Sequence, residues 1–220
     1  MFRQIAPRYD RMNHLLSVGI DYWWRYRTVR RLTLDATAPV LDVCTGTGDL
    51  ALSIAKLAKP LTPIIGCDFC HEMLAVGRTK DPAGRVKFIE ADAADLPFPD
   101  NTFQAVTVAF GLRNVADTGL GLRELTRVCR PGGQILILEF SRPTMFGFRQ
   151  LYGFYFRNVL PRIGQLLSRN SQSAYDYLPN SVGQFPAGDQ LILRMLDAGM
   201  KQAKQIPLTM GVATLYEASK

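Results

Sequence analysis

From Pro39 onward the chain alternates strands with helices, and that order constrains its fold more than any single motif does. PVLDVC reads as a strand and DLALSIAKLA as a helix, with apolar residues at helical spacing. LTPIIGCDF is a second strand, followed by the helix HEMLAVGRTK, which His71 starts. RVKFIEAD is a third strand, and the turn-forming PFPDN leads into a fourth, TFQAVTVAF. GLGLRELTRVC is a helix ended by RPGG, and QILILEF is a fifth strand, apolar enough to be buried on both faces. This order predicts an α/β fold built on one doubly wound, mostly parallel sheet. The end of the chain breaks the pattern. KQAKQIPLTMGVATLYEASK reads as two strands joined by a tight turn at Met210–Gly211, hence an antiparallel hairpin closing one edge of the sheet.

Two segments fall outside this sheet. Residues 1–34 read as an N-terminal helical lid, and residues 142–182 as a helical insertion between the fifth strand and the late helix GDQLILRMLDAG. With 220 residues the chain can bury a full core as a single domain, residues 1–220. The opening MFRQIAPRYDRMN carries charges where a secretory signal has its apolar region, and no apolar run approaches the ~18 residues of a membrane span. The four cysteines, Cys44, Cys67, Cys70 and Cys129, include one lone C-x-x-C and no zinc-finger spacing. They read as reduced core residues, with no metal expected, and so fit a cytoplasmic protein.

In open α/β sheets the ligand lies at the carboxyl ends of the strands. The first strand ends in Asp42, then Thr45, Gly46, Thr47 and Gly48, where glycines let a ligand lie against backbone. The second ends in Asp68, 22 residues beyond Gly46, the usual place for a carboxylate that pairs with ribose hydroxyls. The third ends in EADAADLPF, where Asp92 can accept from an adenine amino group and Ala93 offers a backbone donor. The fourth ends in AFGLRN, so Ala109 borders the place where ligand and second substrate meet. A glycine loop alone fits a dinucleotide equally well. Asp42 tips the balance, because a carboxylate there repels a pyrophosphate and binds an ammonium group. S-adenosylmethionine carries an ammonium, a sulfonium and no phosphate.

The sequence resembles the class I S-adenosylmethionine methyltransferases, in which an antiparallel hairpin closes the sheet. Within them it is similar to the ubiquinone/menaquinone biosynthesis methyltransferase family. YDRMNHLLSVGIDYWW (9–24), LDVCTGTGDLA, FGLRNV (110–115) and RVCRPGGQILILEFS (127–141) carry the resemblance, and VLPRIGQLLS and AYDYLPNSV extend it over nearly the whole chain. One departure is Asp21, where the family's N-terminal signature usually has His. The resemblance implies S-adenosylmethionine as cofactor and C-methylation of a polyprenylated hydroquinol ring, a benzoquinol or a naphthoquinol.

A ring carbon becomes nucleophilic when the adjacent hydroxyl, with a pKa of about 10 for a phenol, gives up its proton. A cation beside the hydroxyl and a proton acceptor would suffice. Arg113 and Asn114, after the fourth strand, are the candidates for lowering the hydroxyl's pKa and orienting it, with a structural Arg–carboxylate pair and a turn Asn as the alternative. Tyr9, Asp10 and Asn13 are candidates to close over the site from the lid, with a helix pair that only packs there as the alternative, and His14 is a candidate base, with a surface or packed histidine as the favoured alternative. From Arg142 to Tyr175 there is no acid, while Arg142, Arg149, Arg157, Arg162 and Arg169 alternate with Phe, Tyr and Leu. That segment suits peripheral contact with the inner face of a membrane or a prenyl-binding tunnel; the alternatives are a helical cap or a homodimer surface. The net charge of +7 alone would also fit nucleic acid. However, FGLRN stands where methylases of base amino groups often carry Asn/Asp-Pro-Pro-aromatic, so no nucleic-acid partner is expected. An NAD-dependent oxidoreductase, a methyltransferase for another small aromatic or lipid, and a nonenzymatic cofactor-binding regulator are the remaining rivals.

Overall fold

A computed structural model describes residues 10, 14, 17–143, 145, 147, 149–150, 153 and 181–220. In chain order its elements are α1 (Ile20–Val29), β1 (Val40–Val43), α2 (Asp49–Leu57), β2 (Ile64–Asp68), α3 (His71–Lys80), β3 (Val86–Glu90), β4 (Phe103–Ala109), α4 (Thr118–Val128), β5 (Cys129–Phe140), α5 (Asp189–Asp197), β6 (Lys201–Leu208) and β7 (Ala213–Ser219). The described strands form one sheet ordered β3-β2-β1-β4-β5-β7-β6. β1 through β5 pair in parallel. β7 runs antiparallel to β5, and β6 antiparallel to β7. The hairpin thus closes the sheet edge as expected, with its second strand inside and its first outside.

Side-chain alternation along the strands sends residues to opposite faces. Leu41 and Val43 of β1 join Val106, Val108, Ile135 and Ile137 in one core, completed by Leu122 and Leu125 of α4 and Leu191 and Met195 of α5. Val40 and Ala105 face the other way, onto Leu50 and Ile54 of α2 and Leu74 of α3. Farther along that second face, Leu136, Leu138 and Leu215 pack against Trp24 of α1. The inward residues of α1 recur at helical spacing (Asp21, Trp24, Arg25, Thr28), so one stripe of the helix meets the sheet. The Trp24 indole N–H donates to Thr209 Oγ1 at 2.8 Å, pinning α1 beside the β6–β7 turn.

One boundary differs from the sequence reading. β5 begins at Cys129, before RPGG, because Cys129 already pairs with Phe103, while the next register partner is Gln134 opposite Ala105. Residues 130–133 bulge between them: Pro131 has no N–H for the ladder, and Gly132 adopts φ 72°. Cys67, Cys70 and Cys129 are buried free thiols, and Cys44 is a half-buried one. Most of the expected insertion at 142–182, including Arg157, Arg162 and Arg169, lies outside the described residues, as do Tyr9 and Asn13.

Candidate active site

The strand order places a switch point between β1 and β4, where the chain leaves toward β2 on one side and β5 on the other. The loops after β1 and β4 touch there. Cys44 takes φ 53°, and a Cβ on Gly111 would lie 2.3 Å from the Cys44 Cβ, so only glycine permits this approach. Gly48 sits equally close to the Phe88 ring, 2.7 Å from a built Cβ, and takes φ 82°.

Asp42 and Thr107 are register partners on adjacent strands. The Thr107 hydroxyl donates to Asp42 Oδ1 at 2.7 Å, and the Thr45 hydroxyl donates to Oδ2 at 2.6 Å. The carboxylate is 1 % exposed. Burial pushes its pKa up to about 6, against the two hydroxyl hydrogen bonds, which lower it. Asp68 caps the end of β2, where Gly46 N–H donates to Oδ2 and Cys70 N–H to Oδ1, each at 2.9 Å. Burial raises its pKa too, opposed by those backbone donors. The second carboxylate therefore reaches across 22 residues onto the glycine loop. Asp92 is exposed and accepts from Ala94 N–H at 2.9 Å, while Ala93 is buried beside it.

The N-terminal segment meets this loop through a charged cluster. Asp10 accepts from the Thr47 hydroxyl at 2.5 Å and from Lys80 Nζ at 2.8 Å. Lys80 also binds Asp49 at the start of α2. Arg25 donates to Asp21 at 2.5 Å and lies 3.5 Å from Asp49. His14 Nδ1 is 2.6 Å from Asp21, and its ring stacks on Tyr22 with centroids 4.1 Å apart. Burial pushes the Asp21 carboxyl up, but hydrogen bonds from Ser17, Arg25 and His14 and the Arg25 charge outweigh it, leaving the pKa lowered. Asp21, the departure from the resembled signature, thus contacts the imidazole of His14. Asp10 and His14 are brought to the site; Arg25, Asp49 and Lys80 were missed by sequence reading, since no short spacing links them.

At the end of β4, Arg113 lies in a short 3-10 turn, Leu112–Asn114. Its Nη1 contacts both oxygens of Glu139 at 3.1 Å and donates to the Phe110 carbonyl. The side chains are 7 % and 1 % exposed. Burial raises the Glu139 pKa, and Arg113 opposes that shift. Among the described residues, Arg113 Nε is buried with no hydrogen-bond partner. Asn114 sits half-buried in the same turn, its N–H on Gly111 O at 2.9 Å. Ala109 is half-buried at the strand end, and next to it Phe110, at φ 57°, packs on Phe140 (4.4 Å) and Trp24 (5.8 Å). The strand ends thus bring together two buried carboxylates, Asp42 and Asp68, an aromatic cluster and a buried ion pair. Glu139 was visible in sequence only as part of LEFS.

Comparisons with known proteins agree with this geometry. The model of the ubiE/COQ5 methyltransferase family matches residues 1–220. The chain is 46 % identical to the ubiquinone/menaquinone biosynthesis C-methyltransferase UbiE of Geotalea daltonii, covering 100 % of this chain and 94 % of that one. It is 48 % identical to the demethylmenaquinone methyltransferase of Thermus thermophilus, covering 98 % of each. Among solved structures, it matches a SAM-dependent methyltransferase from Aquifex aeolicus with a TM-score of 0.61 at 17 % identity, over 88 % of each chain. It also matches Haemonchus contortus phosphoethanolamine N-methyltransferase 2 in complex with S-adenosyl-L-methionine, with a TM-score of 0.66 at 16 % identity, over 100 % of this chain and 60 % of that one. Those last two likenesses concern the fold.

Proposed function

Since the chain belongs to the ubiE/COQ5 methyltransferase family and is an S-adenosylmethionine-dependent C-methyltransferase of quinone biosynthesis, we propose a division of its site between cofactor and quinol. Asp42, Thr45, Gly46, Thr47, Gly48, Asp68, Asp92, Ala93 and Ala109 hold the cofactor. The observation that carries this is Asp68, a buried carboxylate already fastened to Gly46 N–H over the loop. It suits the two ribose hydroxyls, while Asp42 lies beneath the loop as the counter-charge to a cation. The fit favours a cationic, phosphate-free cofactor, and family membership sets aside the dinucleotide reading of the same glycines. S-adenosylmethionine supplies the methyl group to be transferred.

The quinol ring lies at the ends of β4 and β5. Arg113 lowers the pKa of the hydroxyl next to the accepting carbon, or holds an ordered water there, and Asn114 orients it. The unpartnered Nε–H supports this, because a buried donor left unmade costs about 1–3 kcal/mol unless a ligand or water takes it. Glu139 holds the guanidinium, and Tyr9 and Asp10 close the lid. In-line positioning of ring and methyl supplies much of the remaining acceleration. The enzyme works peripherally on the inner face of the membrane, where its substrate's polyprenyl tail resides. A homodimer is compatible with this reading.

Two variants separate the roles. Asp68→Ala should weaken cofactor affinity about 10- to 100-fold by removing charge-assisted hydrogen bonds worth roughly 1.5–3 kcal/mol. Unchanged affinity by titration calorimetry, in a folded variant, refutes the assignment. Arg113→Lys keeps the charge against Glu139 but removes the fork and its Nε–H. Turnover should fall at least tenfold with cofactor affinity nearly unchanged. Collapse of cofactor binding instead would place Arg113 in the cofactor site.

A further inference from the structure

α1 is two-sided. Its inner stripe is buried, whereas Tyr22, Trp23 and Tyr26 point outward at 59, 42 and 58 % exposure. Tyr22 and Tyr26 are one turn apart and share a face. The charges on that side are all positive: Arg27 and Arg30 are exposed, and Arg27 lies 5.2 Å from the centre of the Trp23 ring. Between Ser17 and Leu34 the sole acid is Asp21, which is buried and paired with Arg25. Val18, just before the helix, is 78 % exposed.

We infer that this outward face of α1 docks onto an anionic lipid surface. The inference rests on the peripheral-membrane reading above and names the surface that performs it. Two arguments select lipid. Tyr and Trp place an apolar ring and a polar edge at the depth where headgroups meet acyl chains, and Arg without competing acid matches anionic headgroups. The second argument is position. The inner side of the same helix walls the site: Trp24 packs on Phe110, and Arg25 lies 6.0 Å from that ring and 3.5 Å from Asp49. A helix with its side chains is about 10–12 Å thick. Docking through α1 therefore brings the bilayer within one helix diameter of the ring site, so a quinol can reach the site while its tail stays in lipid.

The protein carries its own reporter, because its two tryptophans are Trp23 and Trp24, and Trp24 is 2 % exposed. Full-length protein is mixed with phosphatidylcholine vesicles containing phosphatidylglycerol, brominated or not. Trp23 emission should shift to the blue and be quenched by the brominated lipid. Arg27→Gln with Arg30→Gln should lower vesicle affinity about 30-fold, the equivalent of about 1 kcal/mol for each Arg, and Tyr26→Ser should lower it independently. Both variants should methylate a short-tailed, water-soluble quinol at the normal rate and a long-tailed quinol in vesicles more slowly. If wild-type protein ignores anionic vesicles, the membrane reading itself falls and this inference with it. If it binds while Trp23 stays unquenched and both variants bind normally, α1 is not the docking face and the membrane reading stands. If short- and long-tailed activities fall together, or if the variants turn a dimer into monomers without altering vesicle binding, the face is structural or a subunit interface and the inference is overturned.

Discussion

Burial in the sheet lifts the pKa of the Asp42 carboxyl to about 6. The unfolded value is about 3.9, so the folded chain binds this proton more tightly. The group's contribution to stability is therefore most favourable below about pH 4, is lost as pH rises towards 6, and stays lost above that. Asp42→Asn, which keeps the shape, should stabilise the cofactor-free protein by roughly 2–3 kcal/mol at pH 7.5 and by little at pH 4. Thermal unfolding at the two pH values checks this; equal shifts at both would refute it. A cation bound nearby prefers the ionised form, so affinity for S-adenosylmethionine should decline as pH drops below about 6, and this decline should vanish in the Asn variant. Asp68 was legible because its distance from Gly46 along the chain is set by one βαβ unit. Glu139 was not, because its partner Arg113 lies 26 residues away and the two meet only through the register of β4 against β5. A carboxylate in an apolar strand shows its sequence neighbours, not its spatial ones.

Elements interact through the charged cluster between lid and loop. Asp10 and Lys80 are 70 residues apart, yet with Thr47 and Asp49 they tie the N-terminal segment to the glycine loop and to the end of α3. Asp10 was a sequence candidate for the site; its partner, Lys80, sits in the last turn of a helix whose sequence signals only a C-terminus. Lys80→Met should loosen this clasp. The side chain is 28 % exposed, so the pair is screened and its worth is set near 1 kcal/mol, or about fivefold in cofactor affinity. The chain before Ile20 should be cleaved faster by a nonspecific protease, and saturating cofactor should restore protection less fully than in the wild type. Unaltered cleavage and affinity would show that the lid is held by Trp24 and its aromatic neighbours alone.

On the scale of the whole molecule, the sheet was legible nearly strand by strand, because parallel strands need long crossovers, here helical except between β3 and β4, and a two-stranded end must turn back on itself. The placement of β7 between β5 and β6 follows from closing the edge with the later strand inside, which no local pattern states. Charge is also a property of the whole chain. The sequence carries +7, and no described helix is long and apolar enough to cross a membrane. The docking inferred above rests on attraction of such charge to an anionic surface. Salt screens such attraction within a Debye length, which shrinks from about 10 Å at 0.1 M to about 3 Å at 1 M. Chemistry in a closed, partly desolvated site is screened far less. Methylation of a long-tailed quinol in anionic vesicles should therefore fall steeply between about 0.05 and 0.5 M salt, while methylation of a short-tailed quinol in solution changes less than twofold. Vesicles made only of zwitterionic lipid should show neither the high initial rate nor the steep fall. If long- and short-tailed substrates respond to salt alike, the charge acts at the active site or on folding, and the surface has no part in delivering the substrate.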